Sequence, residues 1–402
     1  MDHPVTLVLI MTAAVLAPLL AYGASRWISV PLVIFEILLG ILIGPDVLGW
    51  AHSSEVVDVL SQLGLAMLIF LAGYEIRFDR VGGDTLKRAA WSWLIALVLG
   101  LTVGVLLAHG GGFEKGVYVG TALTSTALGT ILPVLRDSGD LKSRFGTVMM
   151  AVGSVGEFGP IIAMALLLSG RAPARSAALL VAFGLITAGA VYWAMRPKPP
   201  WFARVIAKTL HSSAQFAVRL VVLMLVAMLG LAQAMGLDVL LGAFAAGLIT
   251  RLVLNGAAPE SSELVLSKVE AMGFGFLVPL FFVVTGIEFD LDALLAGGRV
   301  LLLLPVFLLL FLLVRGLPIW LLAPRDLARG ERGALTLCGA TALPLVVAIT
   351  TLGVDAGTVE PGEAAALVGA GMISVLVFPL VALRLLGRTR ADAAGSVEAE
   401  SW

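Results

Sequence analysis

Apolar residues in this chain of 402 residues come in long blocks, parted by short loops that hold most of the charge. Neither an amphipathic helix nor a half-buried strand has that pattern; it belongs to helices that are apolar all round. At 1.5 Å per residue, about 20 apolar residues cover a hydrocarbon layer of roughly 30 Å. Thirteen stretches qualify, near 5–24, 30–48, 56–73, 89–109, 116–135, 145–168, 175–195, 214–235, 238–254, 269–287, 300–322, 333–352 and 363–386. The first is read as a span rather than a secretory signal, because Met1, Asp2, His3 and Pro4 supply no positive leading region.

Composition agrees with an all-α membrane protein. Hydrophobic residues make up 59% of the chain and charged ones 13%, about half the usage of soluble domains, and mean hydropathy is +1.04. The net charge of -1 gives no basic footprint for nucleic acid. The single cysteine, Cys338, excludes an intramolecular disulfide and a cysteine metal cluster. Basic residues alternate between loops as the positive-inside rule requires, with 20 of the 26 on one side. They include Arg26, Arg77, Arg80, Lys87, Arg88, Lys142, Arg144, Lys198, Arg204, Arg325, Arg332 and Arg388. The opposite loops hold only Lys115, Arg171, Arg175 and Arg299. This predicts an outer N-terminus and a cytoplasmic C-terminus in a cell membrane. The longest loop, 196–213, leaves no room for a soluble domain, so residues 1–386 are expected to form one transmembrane domain. The polar, alanine-rich segment 387–402 is expected to be a disordered tail.

One side chain conflicts with this apolar setting. Glu157 falls near the middle of the sixth span, in the run Gly153, Ser154, Val155, Gly156, Glu157, Phe158, Gly159, Pro160. An acid at such depth costs about 2.5–3.5 kcal/mol on insertion scales, which marks it as a functional residue facing protein or a water-filled cavity. Gly146, Gly153 and Pro160 recur every seven residues and predict a close-packed face beside it. The fifth and twelfth spans share a second feature: each opens Thr-Ala-Leu, at Thr121 and Thr341, and mixes hydroxyls with Gly and Pro133 or Pro344 at mid-depth. Paired interrupted helices form midplane ion sites in secondary transporters, and a separation of seven spans predicts opposite directions, as in an inverted repeat.

Four further segments carry a family resemblance. They are Pro31 to Pro45 with Glu36, Gly40 and Gly44; Leu63 to Glu75; Leu241 to Leu248; and Pro279 to Gly286. With the interrupted pair, they make 5–386 resemble the cation:proton antiporter-2 family of monovalent cation/proton antiporters. The resemblance implies crossing interrupted helices at spans five and twelve, a core domain that moves against a dimerisation domain, and a homodimer. It also implies an ion-binding carboxylate on span six, where this chain has Glu157. Relatives commonly place Asp there after Asp, Asn or Gln, whereas this chain has Gly156 and Glu157. Candidate ion and proton ligands are Glu157, Ser154, Thr124, Ser125 and Thr126, around one monovalent cation. Arg315 in span eleven matches a core-domain Lys or Arg of relatives and is the candidate charge compensator, the alternative being a side chain that snorkels to the interface. Glu36 is a supporting candidate, expected to make a structural hydrogen bond.

The implied activity is electroneutral exchange of Na+ or K+ for H+, without a cofactor. A potassium efflux channel or sensor subunit gated by a separate soluble partner is the alternative. A membrane-embedded enzyme is disfavoured, because no zinc-protease, hydrolase-elbow or paired-aspartate motif is present. The four histidines, His3, His52, His109 and His211, lie near loops or termini and read as solvated. Glu75 and Glu288 lie at span ends. Labelling intact cells with an impermeant thiol reagent tests the orientation: Cys introduced at Ser53 should react and Cys at Asp79 should not, and the opposite result inverts the topology.

Overall fold

The computed structural model describes residues 3–24, 31–75, 83–108, 112–167, 173–196, 200–210, 212, 214–257, 259–295 and 298–400. Arg26, Arg77, Asp79, Arg80, His109, Arg171, Lys198 and His211 lie outside them, and the side chains of His3, Pro133 and Arg299 are not described. Among the described residues every element is a helix. The first half comprises α1 (His3–Ala24), α2 (Leu32–Ile43), α3 (Glu55–Glu75), α4 (Gly83–Leu107), α5 (Gly112–Ala122), α6 (Leu128–Asp137), α7 (Arg144–Leu167), α8 (Pro173–Met195) and α9 (Pro200–Thr209). After it come α10 (Phe216–Ala234), α11 (Val239–Ala257), α12 (Pro259–Met272), α13 (Val278–Ile287), α14 (Leu291–Leu295), α15 (Gly298–Leu310), α16 (Leu317–Leu322), α17 (Arg329–Gly339), α18 (Pro344–Asp355) and α19 (Pro361–Glu400). π-helical turns at Gly273–Leu277 and Phe311–Gly316 join α12 to α13 and α15 to α16.

Ten of the expected spans are helices long and apolar enough to cross a membrane. The other three are the short α2, the pair α5 and α6, and α8, whose apolar part is Ala178–Ala194. Two expectations change. The loop expected at 196–213 contains α9, which buries Ile206 and exposes Arg204 and Lys208. The tail expected to be disordered continues α19 as far as Glu400. Alanine has the highest helix propensity, and extending an existing helix needs no new nucleus.

The chain divides into two compact units. One comprises Met1–Ala14, Ala51–Ile76 and Ile161–Val284. In it α3 and α11 pack so closely that a Cβ at Gly73 would overlap the Phe244 carbonyl, and one at Gly247 the Phe70 carbonyl. Neither backbone neighbour can turn aside. Gly236, at φ +66°, ends α10 in a left-handed cap, where Leu237 N–H reaches the Ala232 carbonyl at 2.9 Å. Asp238 Oδ1 then accepts from Leu240 N–H at 2.8 Å and starts α11. Burial pushes the Asp238 carboxyl above its ordinary pKa, against the lowering effect of that N–H.

The other unit comprises Val15–Trp50, Arg77–Pro160 and Thr285–Trp402. A buried cluster in it gathers Phe145, Met149 and Val152 of α7, Ile131 and Leu135 of α6, Leu335 and Cys338 of α17, and Ile319. Gly100 and Gly104 of α4 face Gly120 and Gly116 of α5 backbone to backbone. The start of α2 carries Glu36, and its end closes on the Gly286–Ile287 backbone through Gly40 and Gly44. Asp46 Oδ2 accepts from Leu291 N–H at 2.7 Å and so caps α14. Arg144 Nε donates to Asp326 Oδ2 at 2.9 Å, which holds that exposed carboxyl below its usual pKa.

Gly247→Ala should destabilise the protein by about 1–3 kcal/mol through overpacking. The exposed control Gly230→Ala, whose Cβ meets nothing within 4 Å, should not. Thermal midpoints in detergent read the difference; equal midpoints would remove the close α3–α11 contact as a determinant.

Candidate functional site

Both expected interruptions are present, and both lie in the second unit. The first separates α5 from α6: Leu123 and Thr124 form a turn, and 125–127 are non-helical before the helix resumes at Leu128. Thr124 Oγ1 donates to the Thr121 carbonyl and Ser125 Oγ to the Ala122 carbonyl, each at 2.8 Å. These hydroxyls close the exposed C-terminal carbonyls of α5. The second interruption separates α17 from α18. Ala340 turns out of the helix, 341–343 are non-helical, and Pro344 starts α18 at a position where no N–H is needed.

The two interruptions satisfy one another. Ala127 N–H donates to the Thr341 carbonyl at 2.7 Å, and Thr126 Oγ1 donates to the carbonyl of Gly339, the last residue of α17, at 2.6 Å. Thr126 N–H donates to the Gly156 carbonyl of α7 at 2.9 Å. On α19, Ser374 Oγ accepts from Ala342 N–H at 3.1 Å and donates to the Gly371 carbonyl at 2.7 Å. Glu157 follows Gly156 directly, which puts it on α7 at the level where α5 is interrupted. It is 2% exposed.

Arg315 is fully buried in the π-helical turn Phe311–Gly316, so the snorkelling alternative is ruled out. Such turns occur often at functional sites, because the extra residue swings one side chain out of register. The Arg315 guanidinium reaches the interruption: Nε donates to Thr126 Oγ1 at 3.0 Å and Nη2 to the Val152 carbonyl of α7 at 2.8 Å. Nη1 is buried without an acceptor among the described residues. Through Thr126 the guanidinium lies beside the C-terminal end of α17, where a positive charge is favoured.

The expected close packing on α7 is present at Gly146 and Gly153. Gly146 closes on the Asp140 carbonyl, and a second run with a spacing of three, Gly153, Gly156 and Gly159, makes close contacts nearer the site. A Cβ at Gly153 would strike Leu128, and one at Gly159 the ring of Trp93. At Gly156 it would overlap Arg315 Nη2 and Thr126 Oγ1. The departure from the family pattern at 156 thus has a steric reason: the guanidinium and a threonine hydroxyl occupy the place of a side chain.

Of the residues singled out from sequence, the structure brings Thr126, Arg315 and the Gly156–Glu157 peptide together. Thr124 and Ser125 are buried but use their protons on α5. Ser154, one turn before Glu157, is 7% exposed, and its Oγ has no partner among the described residues. Thr121 Oγ1 is in the same condition, and sequence reading left it out although it opens the shared Thr-Ala-Leu string. Glu36 is 3% exposed, and no described residue forms the expected hydrogen bond with it. Ser374 was also missed; a lone serine in an apolar span gives no signal.

Residues 11–386 match the family described as sodium/hydrogen exchanger, transmembrane. A relative in Bacillus subtilis (strain 168), described as the putative Na(+)/H(+) antiporter YjbQ, is 26% identical over 409 residues. That match covers 95% of this chain, which spans 63% of the length of YjbQ. The Na(+)/H(+) antiporter of Enterococcus hirae is 25% identical over 66% of this chain and 69% of its own length. The solved structure of the sodium proton antiporter MjNhaP1 from Methanocaldococcus jannaschii at pH 8 superposes with a TM-score of 0.64 at 18% identity, over 94% of this chain and 98% of that one. This multi-pass membrane protein therefore has the sodium/proton antiporter fold and belongs to the transmembrane sodium/hydrogen exchanger family.

Proposed function

We propose that this protein is a secondary active antiporter that exchanges a monovalent cation, Na+ or K+, for H+ at Glu157 by alternating access. The observation that carries the reading is a buried carboxyl at the level of two interruptions that hydrogen-bond to each other. Glu157 offers the charge, and Ser154, Thr121, Thr124, Ser125 and Thr126 offer neutral oxygens of the kind that hard cations prefer. Arg315 offsets the ends of the interrupted helices and keeps the net charge of the site low. The names of the relatives support the ion pair, and the family resemblance supports a homodimer. The loop charges support a cell-membrane protein with its N-terminus outside and its C-terminus cytoplasmic. Residues 1–386 form the transport domain, and no cofactor takes part.

With one exchanging carboxyl, each cycle carries one proton one way and one cation the other. Exchange is therefore electroneutral. Glu157→Gln should reduce cation-driven proton flux in proteoliposomes to background, measured with a trapped pH dye and a panel of chloride salts. Residual exchange in that variant, or a wild-type rate that changes with clamped membrane potential, would contradict the reading.

Gly156→Ala tests the packing at the site. Its methyl group should push the guanidinium off Thr126 and Val152, disrupting charge-assisted hydrogen bonds worth about 1.5–3 kcal/mol each. The expected outcome is a loss of exchange of at least about tenfold at normal protein level. Wild-type kinetics would mean that Arg315 tolerates displacement.

A further inference from the structure

Lys115 stands in the first turn of α5, where the amide groups of a helix start disfavour a cation. Its side chain is only 9% exposed. Both conditions are unfavourable, and one contact offsets them: Nζ lies 2.6 Å from Glu363 Oε2. Glu363 is in the first turn of α19, where a carboxylate is favoured, and its side chain is 23% exposed. Loop-charge counting assigns Lys115 to the outer loops; the structure buries it in an ion pair.

The pair joins two elements that meet at the site. From Lys115, α5 runs to the interruption at 123–127. From Glu363, α19 runs eleven residues, about 16 Å of helix, to Ser374, whose Oγ meets Ala342 N–H in the second interruption. α18 packs along α5, where a Cβ at Gly353 would press on Val359 and Tyr118. One helix, α19, is thus tied to the start of the first interrupted helix by charge and to the break in the second by a hydroxyl.

We propose that Lys115 and Glu363 are positioning residues for the cation site. Their ion pair holds the start of α5 on α19 and sets the register between the two interruptions. Neither residue touches the ion. The proposal rests on the exchange reading above, and it predicts that losing the pair weakens cation affinity while Glu157 stays intact.

The test compares Lys115→Arg, Lys115→Met, Glu363→Gln and the charge-swapped pair Lys115→Glu with Glu363→Lys. Two quantities are measured at matched protein amounts: the apparent cation KM of exchange, and the cation concentration giving half-maximal thermal protection in detergent. Each neutralised variant should raise both by about tenfold, as a small misplacement of ligands does. Lys115→Arg and the swapped pair should return both to within about threefold of wild type, since either restores the opposite charges. If a neutralised variant fails to fold, the Arg and swapped variants still decide the matter. A swapped pair no better than the single variants, or neutralised variants with wild-type values, would overturn the proposal. A wild type that is protected by cations yet shows no proton flux would instead contradict the exchange reading and leave the positioning pair to be judged on protection alone.

Discussion

Two helices are interrupted in the middle of an apolar protein, and every backbone group released there must find a partner inside it. In hydrocarbon, each unmet group costs several kcal/mol. The N–H groups of Thr126, Ala127 and Ala342 find Gly156, Thr341 and Ser374, and the Gly339 carbonyl receives the Thr126 hydroxyl. The two breaks therefore depend on each other, on α7 and on α19. Neither would be stable alone. The same requirement accounts for how deeply the region is buried, with Thr121, Thr124, Ser125, Thr126 and Thr341 all at 1% exposure or less.

A charge can reside in such a place only if its surroundings are built for it. Arg315 is held by two neutral acceptors, Thr126 Oγ1 and the Val152 carbonyl, rather than locked into a surface pair. Its approach needs the absence of a side chain at Gly156. A longer acid at 157 and a glycine at 156 thus belong together: the glycine admits the guanidinium, and the guanidinium supplies the positive charge that a neighbouring polar residue cannot. The proposed one-for-one exchange rests on one acid, Glu157, and one guanidinium, Arg315, acting near the breaks.

Much of this was legible in the sequence because its causes are local or additive. Block hydropathy located the spans, and the shared Thr-Ala-Leu strings located both breaks. The glycine strings behind the family resemblance turn out to be contact points: Gly40 and Gly44 close on Gly286 and Ile287, and Gly73 and Gly247 let α3 meet α11. What stayed hidden depends on distant pairing. The partner of Lys115 is 248 positions away at Glu363, so this basic residue near a span end was counted with the outer loops. Pro160 and Gly153 suggested a seven-residue face, but which glycines face the site was set by the arrival of Leu128, Arg315 and Trp93. The helical course of 387–400 was missed because composition alone does not register the helix that precedes it.

Central to this account is competition between a proton and a cation for one carboxyl. Proton release on cation binding measures it without transport. Purified protein in weakly buffered detergent, titrated with NaCl or KCl near the pH of half-maximal exchange, should release up to about one proton per chain, with release declining at higher pH as the site deprotonates beforehand. Glu157→Gln should release none while remaining folded. Release that persists in Glu157→Gln, or cation binding by the wild type with no proton released at any pH, would contradict the account.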